Sequence, residues 1–582
     1  MRNASIKALL LALSLVAPAA LIGCGDTSPS GDNPPNNAPD IQEEEDTEAP
    51  IEKAPGEVES EWGTYHIKFT PSEDPIPFND YFELDVTVYH DAEMSELAEG
   101  VALEFDARTS LFRGNLPTQP VVEKIAGGTF RVRGILLHVP RPWTLEFELS
   151  EDGVSEEAKT EIDPTLGFET GEDPTGFFTD DEVRHILNMS PEGGPALPVV
   201  PSNAVADDPA AAHLGQFLFF EKRMSANGEV SCASCHAPQK GFADGKRLAD
   251  GVGQTGRHAP TVLNAAYNRW QFWDGRTDSL WAQAWGPLEA DVEHGTDRLA
   301  IAHLIATTPE YKEAYEAIFG PLPDLSDALR FPQNARPIPG EPERAEHLAW
   351  TAMRSEDQES VMTVVANISK SIAAYERKLI SLDADFDRFA QALRAQDADA
   401  MGALSESAQR GLKMYIGEAN CVLCHNGALQ TNFEFHNLGM GPRAWLANDD
   451  DGRFTGATLV FSDPLNATGE YSSASDWESP QLTYLRREEF LQQGAFKTPT
   501  LRNITQTAPY MHGGEFETLS EVINFYADLQ EDPPVGRRDA LVQPFSVGGS
   551  DVADLEAFLE SLNGAPLPAA LLSQPESPIY TP

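Results

Sequence analysis

Two short stretches decide how this chain folds: SCASCHAPQKGFADG, Ser231–Gly245, and NCVLCHNG, Asn420–Gly427. Each holds a CxxCH motif, Cys232-Ala-Ser-Cys235-His236 and Cys421-Val-Leu-Cys424-His425. Together they take four of the five cysteines in 582 residues. Two thiols three positions apart can add to the two vinyl groups of one haem, and the adjacent histidine then lies under the iron as proximal ligand. A zinc ribbon sets its CxxC pairs about 15–20 residues apart, whereas these stand 189 apart. A thioredoxin-type CxxC needs no following histidine, and disulfide pairing leaves both histidines unexplained. Two covalently bound haem c groups are therefore the expected cofactors, with His236 and His425 on the irons.

Around these motifs the texture is helical. Leu214, Phe217 and Leu218 share one helix face after Pro209, and Val552, Leu555, Leu559 and Leu562 share another before Asn563-Gly564. Upstream the period changes. Tyr65, Ile67 and Phe69 alternate with polar residues, as do Phe82, Leu84, Val86 and Val88, then Val101, Leu103 and Phe105, then Leu145, Phe147 and Leu149. Short runs of period two mean half-buried strands and a small β-sandwich. Residues 25–58, rich in Pro, Asn and acid, offer little to bury and read as a flexible tether. Arg2 and Lys7 precede the apolar run Ala8–Ile22, an export signal too short to span a bilayer comfortably. It ends in Leu21-Ile22-Gly23-Cys24, which resembles the lipobox of bacterial lipoproteins; Cys24 is then acylated and anchors the chain. Gly25, rather than Asp, follows Cys24, which favours the outer membrane. Export also supplies the periplasmic compartment in which c-type haem is attached. With 92 acidic against 41 basic side chains, the net charge of −51 lacks the basic face that nucleic acid needs.

The segments DARTSLFRGNLPTQP (Asp106–Pro120) and GGTFRVRGILLHVPRPWTLEFEL (Gly127–Leu149) resemble the YtkA-like or FixH-like periplasmic β-sandwich family. Members of that family carry His and Met there, suggestive of copper. Here Phe112, Gly114 and Leu116 fill the first set, and Ile135 and Val139 flank a single His138. One histidine does not chelate a metal usefully, so this domain reads as structural or partner-docking.

The stretches LGQFLFFEKRMS, SCASCH, GFADG, RHAPTVLNAAYNRWQFWDGR, QAWGPLEADVEH, NCVLCHNG and FKTPTLRNITQTAPYMHGG, between Leu214 and Leu562, resemble the bacterial dihaem cytochrome c peroxidase and MauG family. The resemblance implies a multidomain chain in which a small all-β, immunoglobulin-like sandwich precedes two mainly α cytochrome c-like haem domains. The expected divisions are a lipoprotein signal peptide 1–23, an acidic tether 24–58, the sandwich 59–150, a connector 151–205, a peroxidatic haem domain 206–400, a second haem domain 401–570 and a tail 571–582. Gln283 and Glu293 match the family's peroxide-side pair, and a carboxylate near an open iron can move a proton between the two peroxide oxygens. Trp273 matches the tryptophan between the haems. Arg276, Lys497 and Arg502 are candidates to hold haem propionates.

Three departures from the family carry information. Ala237–Arg257 contains no histidine to cap the first iron, so that iron is expected to be five-coordinate or water-bound without reductive activation. Counting forward from His512 reaches Tyr526 where the peroxidases place a methionine; MauG uses a tyrosine there, and Met440 and Met511 are the rival ligands. Methionine raises a haem's potential, whereas an anionic oxygen favours higher oxidation states. Thr507 and Pro509 match the carbonyls of the family's calcium site, but His258 replaces its Asn, and imidazole suits a hard cation poorly. The case for calcium is therefore weak. His294, after Glu293, suggests a proton relay or a structural role, and His436 an ordered loop by the second haem. Three functions remain open: reduction of hydrogen peroxide with electrons from a small redox protein, MauG-like oxidation of a protein substrate, and non-catalytic electron carriage or sensing.

Overall fold

The computed structural model describes residues 56–109, 115–447, 449–474 and 477–581. The expected leader, Cys24, the tether as far as Pro55, Phe112 and Gly114 lie outside the described residues. Eight strands come first: β1 (Gly56–Glu59), β2 (His66–Pro71), β3 (Tyr81–Tyr89), β4 (Ala102–Thr109), β5 (Val121–Ala126), β6 (Thr129–Leu136), β7 (Trp143–Glu151) and β8 (Val154–Ile162). They form two antiparallel sheets, β1-β2-β3-β6-β5 and β4-β7-β8. Every one of the alternating apolar residues named above is buried in the core shared by these sheets, as side chains on one face of a pleated strand must be.

The sandwich extends beyond its expected limits at both ends. β1 takes the last residues of the supposed tether, and β8 lies wholly in the supposed connector. In β8, VSEEAKTEI, the inward positions are Glu156 and Ala158, and Glu157, Lys159 and Glu161 face outward. Charges guard a sheet edge against further pairing, and here they conceal the alternation.

The rest is mainly helical, and the helices used below are α1 (Asp180–Asn188), α2 (Pro209–Phe219), α3 (Leu280–Glu289), α4 (Ser355–Glu376), α5 (Asp385–Ala395), α6 (Glu406–Ile416), α7 (Leu519–Asp528) and α8 (Asp551–Glu560). Asp208 caps α2, accepting from the amides of Ala210 and Ala211 at 2.8 and 3.0 Å, ahead of a proline at the first turn. Gly215 of α2 lies on α4 so closely that a Cβ would overlap the Ser371 carbonyl. The same device recurs in the second half, where a Cβ on Gly411 of α6 would overlap the Asp554 carbonyl of α8. Each crossing anchors one core. Leu214, Phe219, Trp281, Val365 and Ile372 belong to the first. Val183, Ile186, Phe386, Leu412, Tyr415 and Phe558 belong to the second. Hence α1, placed in the connector by sequence, and α5, placed in the first haem domain, both pack in the second core; their partners lie far along the chain.

The sandwich rests against the second CxxCH motif. Leu423 and Leu541 join its core beside Leu137 and Val139. The Asn426 amide donates to the His138 carbonyl at 3.1 Å, and the Gln119 N–H donates to the Tyr484 carbonyl at 2.8 Å. Among the described residues no helix is long and apolar enough to cross a membrane.

Candidate active site

The two CxxCH motifs are built alike. His236 N–H donates to the Cys232 carbonyl and His425 N–H to the Cys421 carbonyl, each at 2.8 Å, so one tight turn aligns the thiols and the imidazole. The Nδ1 of His236 meets the Phe242 carbonyl at 3.2 Å, and that of His425 meets the Gln430 carbonyl at 3.1 Å. Both carbonyls come from residues in the left-handed region, Phe242 at φ 57° and Gln430 at φ 46°. Behind each loop a threonine hydroxyl holds the preceding carbonyl at 2.6 Å, Thr261 on Gly241 and Thr500 on Leu429. These threonines belong to PTVLN (Pro260–Asn264) and PTLRN (Pro499–Asn503), an internal repeat whose meaning emerges only in three dimensions. An Nδ1 fixed on a carbonyl leaves Nε2 free for a metal. Burial lowers the pKa of both imidazoles, that of His425 to about 4, which keeps them in the neutral, ligating form.

Both motifs open on one cavity of about 390 Å³. Cys235 and His236 of the first motif and Cys421, Cys424 and His425 of the second all line it, and so does Trp273. Its indole N–H donates to the His258 carbonyl at 2.9 Å, while its own carbonyl accepts from the Lys497 N–H at 2.7 Å. The Lys497 ammonium lies in the same wall with no ion pair among the described residues, and burial lowers its pKa to about 8. Such a cation calls for an anion in the cavity, and a haem propionate is one. Arg276, stacked on Phe272 at 3.5 Å and bonded to Asp274 at 3.0 Å, also faces the cavity. These residues fit two haem groups.

Arg502 is a correction. Its guanidinium grips the buried Asp387 and donates to the Ala428 carbonyl at 3.0 Å, outside the cavity wall. It occupies the position of Leu263 in the PTxxN repeat and braces the loop behind His425, so its charge is already neutralised. Arg257, not singled out by sequence, does line the cavity. It bridges Asp274 and Asp450, each at 2.7 Å.

On the first-motif side, α3 carries Gln283, and the turn after it carries Glu293. The Val252 N–H donates to the Glu293 carbonyl at 2.8 Å, and the Glu293 N–H donates to the Ala290 carbonyl at 3.0 Å. Neither the Gln283 nor the Glu293 side chain has a hydrogen-bond partner among the described residues, so both are free to meet a ligand. Burial pushes the Glu293 carboxyl above its ordinary value, and Arg276 works against that rise. His294 fixes its Nδ1 on the Met224 carbonyl at 2.9 Å. His258 is buried, its Nδ1 at 2.7 Å from the Lys246 carbonyl, and the Thr507 carbonyl also acts on its ring. Thr507 and Pro509 themselves line the cavity.

On the second-motif side, α7 presents Tyr526 to the cavity, packed with Met440 and Met511 in one apolar cluster. Burial raises the phenol's pKa, and the nearby Cys424 and Cys421 add to the effect. His436 lines the cavity too, held by Asp539 at 2.8 Å and by Asn432 at 3.1 Å. His138, from the sandwich, stacks on it with ring centroids 5.9 Å apart. The contact between a β-sandwich loop and a haem-domain loop leaves no trace in local sequence.

The family model for di-haem cytochrome c peroxidase matches residues 209–395. A cytochrome-c peroxidase, IdrP1, of Denitromonas iodatirespirans is 31% identical over 374 residues, 63% of this chain and 85% of that protein. The methylamine utilization protein MauG of Methylorubrum extorquens is 30% identical over 372 residues, 64% of this chain and 82% of its own. Among solved structures, the diheme peroxidase BthA of Burkholderia thailandensis aligns at 22% identity with a TM-score of 0.45, over 64% of this chain and 92% of that one.

Proposed function

The chain belongs to the dihaem cytochrome c peroxidase and MauG family and is an oxidoreductase of peroxidase type, and from that premise we propose that it reduces hydrogen peroxide to water with electrons from a small redox protein. Bound haem supplies the iron at which peroxide is reduced and the path for electrons; the chain's own residues orient and protonate. Glu293 takes the proton from one peroxide oxygen and returns it to the other, and Gln283 orients the pair. Trp273 couples the two haem sites. Lys497 and Arg276 hold propionates, and Cys232, Cys235, Cys421 and Cys424 carry the thioether bonds. His236 would hold the first iron, and the loop Ala237–Arg257 offers no histidine to cap it.

One observation carries this reading: two back-braced histidines share a single cavity, and a carboxyl and an amide without hydrogen-bond partners among the described residues, Glu293 and Gln283, stand with the first of them. The test is to mix the haem-loaded protein with peroxide and reduced cytochrome c. Rapid oxidation of the cytochrome supports the reading, and inertness to peroxide removes it. A second reading, MauG-like oxidation of a protein side chain, is favoured by Tyr526 in the second-haem wall; a long-lived oxidised state without cytochrome turnover would select it. We place the protein on the periplasmic side of the envelope, tethered through an acylated Cys24.

A further inference from the structure

A second, smaller cavity of about 30 Å³ adjoins the first motif: Cys232, Cys235 and His236 line it together with Gln283, Glu293, His294 and Glu376. Space of that size admits one or two waters between groups that can hydrogen-bond them. Glu376 is the last residue of α4 and only 3% exposed. Its Oε2 meets no hydrogen-bond partner among the described residues. The adjacent Arg377 turns away, bonded to Asp207 at 2.9 Å and the Pro198 carbonyl at 3.0 Å. The carboxyl also sits at a helix C-terminus, where the backbone dipole disfavours negative charge. Burial alone pushes it up to about 8. An unpartnered buried carboxyl costs stability that a Leu or Met of similar size would avoid. A functional demand explains why the chain keeps it.

We propose that Glu376 is a proton-supplying residue of the first haem site, acting through Glu293 across the small cavity. The inference rests on the peroxidase reading. Reduction of one peroxide breaks the O–O bond and consumes two electrons, delivered by the reduced redox protein, and two protons, giving two waters. Glu293 shuttles the peroxide's own proton between the oxygens, so the two added protons need a route to it. Glu376 holds the next proton in line, and the cavity's waters with His294 connect the two carboxyls.

The test uses the haem-loaded full chain with Glu376→Gln and Glu376→Asp, assayed with peroxide and reduced cytochrome c in light and heavy water. The expected result for Glu376→Gln is a kcat about tenfold lower and a larger solvent isotope effect, with KM for peroxide and both resting haem spectra unchanged. Glu376→Asp should recover part of kcat. Infrared spectra of the resting proteins give an independent readout: a protonated-carboxyl band present in the unaltered protein and lost in Glu376→Gln. Normal turnover and isotope effect in a fully loaded Glu376→Gln protein overturn the inference, as does the absence of that band difference. An unaltered protein inert to peroxide instead overturns the peroxidase reading.

Discussion

Replacing Glu293 by Gln keeps the volume and hydrogen-bonding capacity of the side chain but removes its ability to carry a proton. The carboxyl has no protein partner among the described residues, so the substitution breaks no brace, and both haem motifs stay as they are. General acid–base groups contribute about 10²–10⁴-fold. Because Gln283 and His294 remain in the adjoining walls, we expect kcat/KM for peroxide to fall about 100- to 1,000-fold, roughly 3–4 kcal/mol of transition-state stabilisation. The group must be ionised to take the first proton. Its pKa lies above the ordinary carboxylate range because it is buried, with Arg276 opposing the shift. Activity should therefore be full at higher pH and fall as pH drops through that raised value. Arg276→Leu removes the opposing cation and should move this acid limb to higher pH. Steady-state oxidation of reduced cytochrome c across the pH range, with haem content checked for each variant, measures both effects. A fully loaded Glu293→Gln protein within threefold of the unaltered one at every pH would exclude Glu293 as the proton carrier.

Three further outcomes are expected. Tyr526→Phe should change the absorption of the second haem and leave the first untouched; an unaltered spectrum would exclude Tyr526 as ligand. Arg502→Leu should lower stability by about 3–5 kcal/mol, because it strands the buried Asp387 carboxylate, without loss of haem. Burial alone would raise the Asp387 pKa, but the Arg502 pair outweighs it and holds the group below its usual range. The pair therefore stabilises above the unfolded carboxylate pKa, and that stability is lost as pH falls through the folded value. Calorimetry at pH 7 and at acid pH reads both. Gly215→Ala and Gly411→Ala should each cost about 2 kcal/mol or more, since a Cβ would meet a helix carbonyl that cannot swing aside; thermal melts followed at each haem's absorption should show which domain loosens.

The CxxCH motifs and the period-two runs were legible because their information is local: thiol spacing and side-chain alternation need no knowledge of the fold. β8 was not, since charged residues interrupt it and its apolar residues Val154, Ala158 and Ile162 stand four apart instead of two. Nor could sequence assign α1 and α5 to the second core, whose members Val183, Phe386 and Phe558 span most of the helical chain. Arg502 misled because a basic residue beside a haem motif suits a propionate as well as it suits Asp387, and only geometry separates the two. The PTxxN repeat was readable but silent until Thr261 and Thr500 were seen holding equivalent carbonyls. Glu376 and the His138–His436 stack arise from long-range packing that no window of sequence contains.

We propose that each CxxCH motif carries its own covalent haem, both reached from the cavity that the motifs share. Intact mass of the denatured protein, matured in a host able to attach haem c, tests this most directly. The expected result is a polypeptide heavier by two haem groups. A chain bearing one haem or none would contradict it.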